Sequence, residues 1–244
     1  MQKHNQIYDL FLRPEKRVIL LIDPDKFDEE KTSLFFSHHS GLMDMIFVGG
    51  SLLSANRTSF VIAALKKLTQ IPVVLFPGNS MQLSANADAI LFLSLISGRN
   101  AEYLIGQHVQ AAPLIYNSEL EVIPTSYMLI DGGNRTSVQY ISQSMPIPAD
   151  KTDIAVATAL AGKFLGHKLI YLEAGSGAQN TVPAAMVHEV CEKTRLPVIA
   201  GGGIRSEETA VALLQAGACA IVIGSLFETN PDAVVRIAQK IKSF

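Results

Sequence analysis

Three segments of the C-terminal third share one pattern: LIYLEAGSG at residues 169–177, PVIAGGGI at 197–204 and AIVIGS at 220–225. Each is an apolar run of strand length that ends in glycine. Five further runs precede them: Val18–Asp23, Met45–Val48, Pro72–Phe76, Ala89–Leu95 and Ser126–Asp131. Nearly continuous apolar character is expected of parallel strands buried on both faces. Helical patterns lie between several of the runs. Asp28–Ser40 is followed by Gly41, Asn56–Leu68 has apolar residues at helical spacing, and Pro183–Thr194 opens on proline. Ser206–Gln215 begins with a capping serine and two glutamates that suit the helix dipole, and Asn230–Ile241 begins Asn-Pro-Asp.

Strand–helix alternation, eight times over and with no linker or shift of composition, predicts an α/β fold. The expected form is a (β/α)8 TIM barrel occupying residues 1–244 as a single domain. An open doubly wound sheet would place a GxGxxG turn after its first strand, where Asp23-Pro24-Asp25-Lys26 stands instead. The pattern is least regular between the fourth and fifth runs. There Arg99–His108 reads as helix, and Ala111–Glu121, interrupted by Pro113, reads as a loop or an extra strand.

Charge and cysteine content exclude several classes. Twenty basic against 22 acidic residues leave a net charge of −2, with no Lys/Arg-rich run, so a nucleic-acid-binding face is not expected. A balanced total still permits a local phosphate pocket. Cys191 and Cys219 form no CxxC or Cys/His cluster and read as buried reduced thiols of a cytoplasmic protein. The opening MQKHNQIYDLFLRPEK lacks a signal-peptide core, and no apolar run approaches the ~20 residues of a membrane span. A mean hydropathy of +0.27 leaves room for a homo-oligomer interface or an apolar groove.

Candidate chemistry gathers at the strand ends, where barrels of this class place their sites. Gly202-Gly203 after the seventh run and Gly224-Ser225 after the eighth suit a phosphate, because glycine lets backbone N–H groups approach an anion. The plain alternative is a pair of tight turns. In the sixth run, period-two alternation puts Tyr171 and Glu173 on one face, so a phenol and a carboxylate point together at a ligand or fix a neighbouring loop. Gly175-Ser176-Gly177 extends the same loop. Asp23, Asp25 and Lys26 after the first run, with Ser51 after the second, suit a magnesium–diphosphate complex; equally, Asp-Pro-Asp could be a turn that caps the next helix. The histidines lack metal-ligand spacing and read as surface or packing residues.

In order along the chain, DPDK, GGS (49–51), FPGN (76–79), YLEAGSGA (171–178), GGGI (201–204) and GS (224–225) resemble the geranylgeranylglyceryl phosphate synthase family, which has bacterial heptaprenylglyceryl relatives. The resemblance covers nearly the whole chain, and YLEAGSG is its most specific part. It implies a Mg2+-dependent prenyltransferase. The 3-hydroxyl of sn-glycerol 1-phosphate would be joined to C1 of a polyprenyl diphosphate, most simply geranylgeranyl diphosphate, with release of diphosphate. By motif, glycerol phosphate would contact Tyr171, Leu172, Glu173, Ala174, Gly175, Ser176 and Gly177, together with Gly202, Gly203, Gly224 and Ser225. Asp25 and Ser51 would hold Mg2+. Glu173 would orient or deprotonate the hydroxyl beside Tyr171, and Lys26 would help neutralise diphosphate. An apolar groove for the tail is expected to lead from the end of the first strand, and residues 96–108 would line the mouth or a subunit contact. Two other readings share the glycine signals: a phosphosugar isomerase or lyase, and a non-catalytic glycerol phosphate-binding barrel.

Overall fold

A computed structural model describes residues 6–243. Its eight strands are β1 (Arg17–Ile22), β2 (Met45–Val48), β3 (Val73–Leu75), β4 (Ala89–Leu95), β5 (Glu121–Leu129), β6 (Leu169–Glu173), β7 (Val198–Gly201) and β8 (Ala220–Ile223). Each pairs in parallel with the next. Closure comes from β8 against β1, with Ala220 beside Arg17 and Val222 beside Ile19.

Alternation along the strands builds two apolar layers, which is why the runs look continuously apolar. Ile19, Phe47, Leu91, Tyr171 and Ile199 fill the barrel interior. Their neighbours Leu20, Ile46, Ile90, Leu172 and Ala200 face outward into the layer beneath the helices. That outer shell is built from α1 (Gln6–Leu12), α2 (Glu29–His39), α3 (Thr58–Leu68), α4 (Gln107–Tyr116), α5 (Ser137–Ser142), α6 (Thr152–Phe164), α7 (Ala184–Thr194), α8 (Glu207–Gln215), α9 (Ser225–Thr229) and α10 (Pro231–Lys242). Side-chain caps start three of them: Asp28 accepts from the Lys31 N–H, Ser206 from Thr209 and Asn230 from Ala233. Helix α1 is different, because it plugs the barrel floor. Ile7 and Phe11 enter the interior cluster, and the buried Glu121 carboxylate accepts the Ile7 and Tyr8 N–H groups, each at 2.8 Å.

The structure departs from the sequence expectation in the middle of the chain. Between β3 and β4 there is no helix; residues 76–88 form turns, so the alternation is incomplete at one place. Ala111–Tyr116 is neither loop nor strand but part of α4, which runs through Pro113 and is preceded by a π-helical turn at Glu102–Gly106. Strand β5 begins at Glu121, five residues before the expected Ser126. Two helices, α5 and α6, occupy a region for which no helix was expected. Gly41 lies inside a short 3-10 turn, Ser40–Leu42, instead of closing α2. No helix among the described residues is long and apolar enough to cross a membrane.

Candidate active site

A wide cavity opens at the C-terminal mouth of the barrel. It is walled by strand ends from β1, β2, β6, β7 and β8, and by the loop that leads into α5. Strand β6 supplies the chemistry. Tyr171 and Glu173 both point inward, as the alternation required, and both line this cavity. Glu173 is only 6% exposed, and its carboxylate accepts the Gly175 N–H at 2.6 Å. Burial raises its pKa from the ordinary 4.5 to about 7, and the Gly175 N–H and then the Tyr171 hydroxyl oppose part of that rise. A carboxyl group so placed exchanges its proton near neutral pH, as a general base requires. The Tyr171 hydroxyl is buried beside it at the foot of the cavity, where it helps to hold the Glu173 carboxylate charged, and it finds no other partner among the described residues.

Glycines set the spacing here. A Cβ on Gly202 would meet the Glu173 carboxylate at 2.5 Å and the Gly175 nitrogen at 2.6 Å; on Gly201 it would collide with the Tyr171 hydroxyl. Gly202 and Gly203 also adopt φ of +83° and +69°, a region that L side chains avoid. The β7 loop thereby lies directly on the functional pair. Ser176, Gly177, Gly202, Gly203, Gly224 and Ser225 all line the one cavity. Not every expected contact joins them: Leu172 and Ala174 belong to the outer apolar layer, because alternation turns them away from the mouth. Gly175 contributes through its bond to Glu173.

At the β1 end the Asp-Pro-Asp sequence is a capped turn and a cavity wall together. Asp23 accepts the Asp25 N–H at 3.0 Å and starts a 3-10 turn over Pro24–Lys26. Half-buried, it is raised above the usual carboxylate range by desolvation. Asp25 is partly exposed. Its carboxylate accepts the Ser54 N–H at 2.5 Å and the Ala55 N–H at 3.4 Å, and the Ser54 bond leads in holding its pKa low. Ser51 lines the same cavity. Its loop is tied down by Gln82, which accepts the Gly50 N–H at 3.2 Å and donates to the Gly50 carbonyl at 2.8 Å. Asp25 and Ser51 both carry hard oxygens and line the same cavity, and among the described residues no group of three or more His, Cys, Asp or Glu is placed to hold a metal ion. Lys26 also reaches the cavity, but the Glu228 carboxylate binds it at 2.9 Å.

A second, apolar cavity adjoins the first and shares part of its wall. It does not lead from the end of β1 as expected. It runs from the β2 and β3 loops across Leu91 and Leu93 of β4 to α4, through the space left by the missing β3–β4 helix. Tyr103, Gln107 and His108 line it, which places part of the 96–108 segment in its wall. His108 is buried, bonds Ser94 at 3.0 Å, and is depressed in basicity by desolvation. Phe76, which the sequence offers as part of the FPGN motif, borders both spaces together with Tyr127. The sequence gives no sign of this cavity, of Tyr127, or of Arg135 and Arg205 on the polar rim, because Tyr127 sits within an apolar run and the arginines lie in loops with no pattern of their own.

Comparison with known proteins gives a consistent picture. The PcrB family pattern matches residues 12–242. A geranylgeranylglyceryl phosphate synthase of Spirosoma linguale is 47% identical over 237 residues, covering 97% of this chain and 95% of that protein. Another, from Korarchaeum cryptofilum, is 42% identical, covering 93% and 95%. Among solved structures, the (S)-3-O-geranylgeranylglyceryl phosphate synthase from Thermoplasma acidophilum, in complex with its substrate sn-glycerol-1-phosphate, superposes with a TM-score of 0.91. It is 34% identical and covers 100% of both chains.

Proposed function

The chain belongs to the PcrB family, and from that premise we propose that it joins the 3-hydroxyl of sn-glycerol 1-phosphate to C1 of a polyprenyl diphosphate, making an ether and releasing diphosphate. It is a prenyltransferase of the geranylgeranylglyceryl phosphate synthase kind. The observation that carries the reading is the meeting of two unlike cavities: a polar one floored by Glu173 and glycine loops, and an apolar one between β4 and α4. A phosphosugar isomerase has no use for the second. A non-catalytic binder leaves Glu173, buried at some energetic cost, without a task.

The phosphate of glycerol phosphate sits on Ser176-Gly177, Gly202-Gly203 and Gly224-Ser225, where bare backbone lets N–H groups reach its oxygens. Its 3-hydroxyl then lies at Glu173, which accepts the proton, with Tyr171 beside it as a donor toward the glycerol. Asp25 and Ser51 would hold Mg2+, which when bound would supply positive charge to neutralise a diphosphate leaving group. Lys26 holds its position through Glu228, so its contribution to that neutralisation is the smaller one. The prenyl tail occupies the apolar groove. Exposed Ile105, Val109 and Tyr116 on the outer side of the α4 region suit a homo-oligomer contact.

Glycerol phosphate binding, measured by calorimetry without any prenyl substrate, tests the cradle separately from the chemistry. Micromolar to millimolar binding that is lost in Gly202→Ala but kept in Glu173→Gln supports the assignment. Binding indifferent to Gly202 refutes it.

A further inference from the structure

We propose that the rings of Phe76 and Tyr127 stabilise the positive charge that develops on C1 of the prenyl diphosphate, which makes them catalytic residues and not only groove lining. The inference rests on the prenyltransferase reading above and extends it to the reacting carbon.

The two cavities share one stretch of wall: Gly50, Ser51, Phe76, Tyr127, Val138 and Ile141. A prenyl diphosphate with its head in the polar cavity and its tail in the apolar one must carry C1 past this shared wall. Gly50 and Ser51 belong to the diphosphate side. Val138 and Ile141 are aliphatic and offer no electron density. Glu173 lines the polar cavity alone, where the hydroxyl needs it. The two rings are the electron-rich side chains of the shared wall, and an aromatic π-system attracts a cation within about 6 Å of its centroid.

The rings are also held in place. Phe76 stacks on Tyr171 at a centroid distance of 5.0 Å and on Phe47 at 5.9 Å, and Tyr127 lies 5.9 Å from Phe76 and 5.6 Å from Tyr171. Gly49 explains how the Phe76 backbone comes so near β2, because any side chain there would strike the Phe76 carbonyl. Such preorganisation is what electrostatic stabilisation of a transition state requires.

In the step itself, the C1–O bond breaks and its electron pair leaves with diphosphate. The allylic carbon becomes electron-deficient beside the rings. The 3-hydroxyl oxygen donates a pair to C1 and forms the ether bond, while its proton passes to the Glu173 carboxylate. Atoms and charge balance with no further reactant.

The test replaces Phe76 with mono-, di- and trifluorinated phenylalanines, which keep ring shape while π-electron density falls. The readout is the single-turnover rate of ether formation, alongside the affinity for glycerol phosphate. The expected result is a stepwise fall in rate, on the order of 10-fold across the series, at constant affinity. Phe76→Leu, which keeps apolar volume without a ring, should lie at or below the trifluorinated enzyme. If the unsubstituted enzyme makes ether and the rate does not respond to fluorination, the rings have no electrostatic role and the inference falls while the prenyltransferase reading stands. If the unsubstituted enzyme makes no ether, that reading falls first and takes the inference with it.

Discussion

The Glu173 carboxylate accepts the Gly175 N–H at 2.6 Å, so the group assigned as base is anchored by the loop assigned to hold phosphate. One short loop therefore ties substrate position to proton transfer. Glu173→Gln keeps an acceptor oxygen for that N–H but cannot take up a proton. Its turnover should fall by roughly 10²–10⁴-fold while glycerol phosphate affinity changes little, as steady-state kinetics and calorimetry would report. Equal losses in binding and turnover would make Glu173 a loop anchor only.

The pH profile follows from burial. Glu173 must be ionised to accept a proton, so turnover should rise with pH through about 7 and then level off. Stability should move the other way. The folded value lies above the ordinary 4.5, so the fold binds the proton more tightly than the unfolded chain does. The contribution is intact below that value and is lost as pH rises to about 7, by about 3 kcal/mol at most. Glu173→Gln should therefore be more stable than the parent at pH 8 and similar at pH 4.5. Denaturant titrations at both pH values check the sign.

Asp25→Asn should raise the Mg2+ concentration needed for half-maximal rate, since it removes the charge of the carboxylate assigned to the ion. An unchanged Mg2+ titration would remove Asp25 from the ligand set. Its backbone bonds to Ser54 and Ala55 are acceptor bonds that the asparagine oxygen can keep in part, so a small stability change is expected.

These assignments also show where the sequence was readable. Strand ends in a closed barrel are fixed by topology, so the sequence alone puts Tyr171, Glu173, Gly202 and Ser225 at one mouth. Strand β5 was harder because Glu121, Pro124 and Thr125 break its apolar run; the structure puts Glu121 at the barrel floor, serving α1. Helix α6, TDIAVATALAGKF, is apolar around most of its circumference and shows little helical periodicity. The apolar groove was illegible for another reason. It exists because the β3–β4 helix is missing, and residues such as Leu91 and Leu93 read as ordinary strand until that gap is seen.

Ala111 gives a test of the groove. It is buried on α4 and lines the apolar cavity. Ala111→Phe should shorten the usable groove, so long prenyl diphosphates lose rate by 10-fold or more while short ones keep it. A stability cost of about 1–3 kcal/mol from overpacking is expected alongside. Uniform loss at every length would mean that the change disturbed the fold and left the groove assignment unsupported.

The floor can be tested independently of the chemistry. Glu121→Ala leaves the Ile7 and Tyr8 N–H groups without their acceptor and should lower stability by about 2 kcal/mol. Turnover at a temperature where the variant stays folded should match the parent, because Glu121 lies at the end of the barrel opposite Glu173.

The most direct test of the central claim is a product assay by mass spectrometry with sn-glycerol 1-phosphate, Mg2+ and, separately, prenyl diphosphates of increasing length. The account predicts one ether phosphate and one diphosphate per turnover, with a preferred tail length and no product from sn-glycerol 3-phosphate at comparable rate. Folded protein that binds glycerol phosphate yet forms no ether at any length would contradict it.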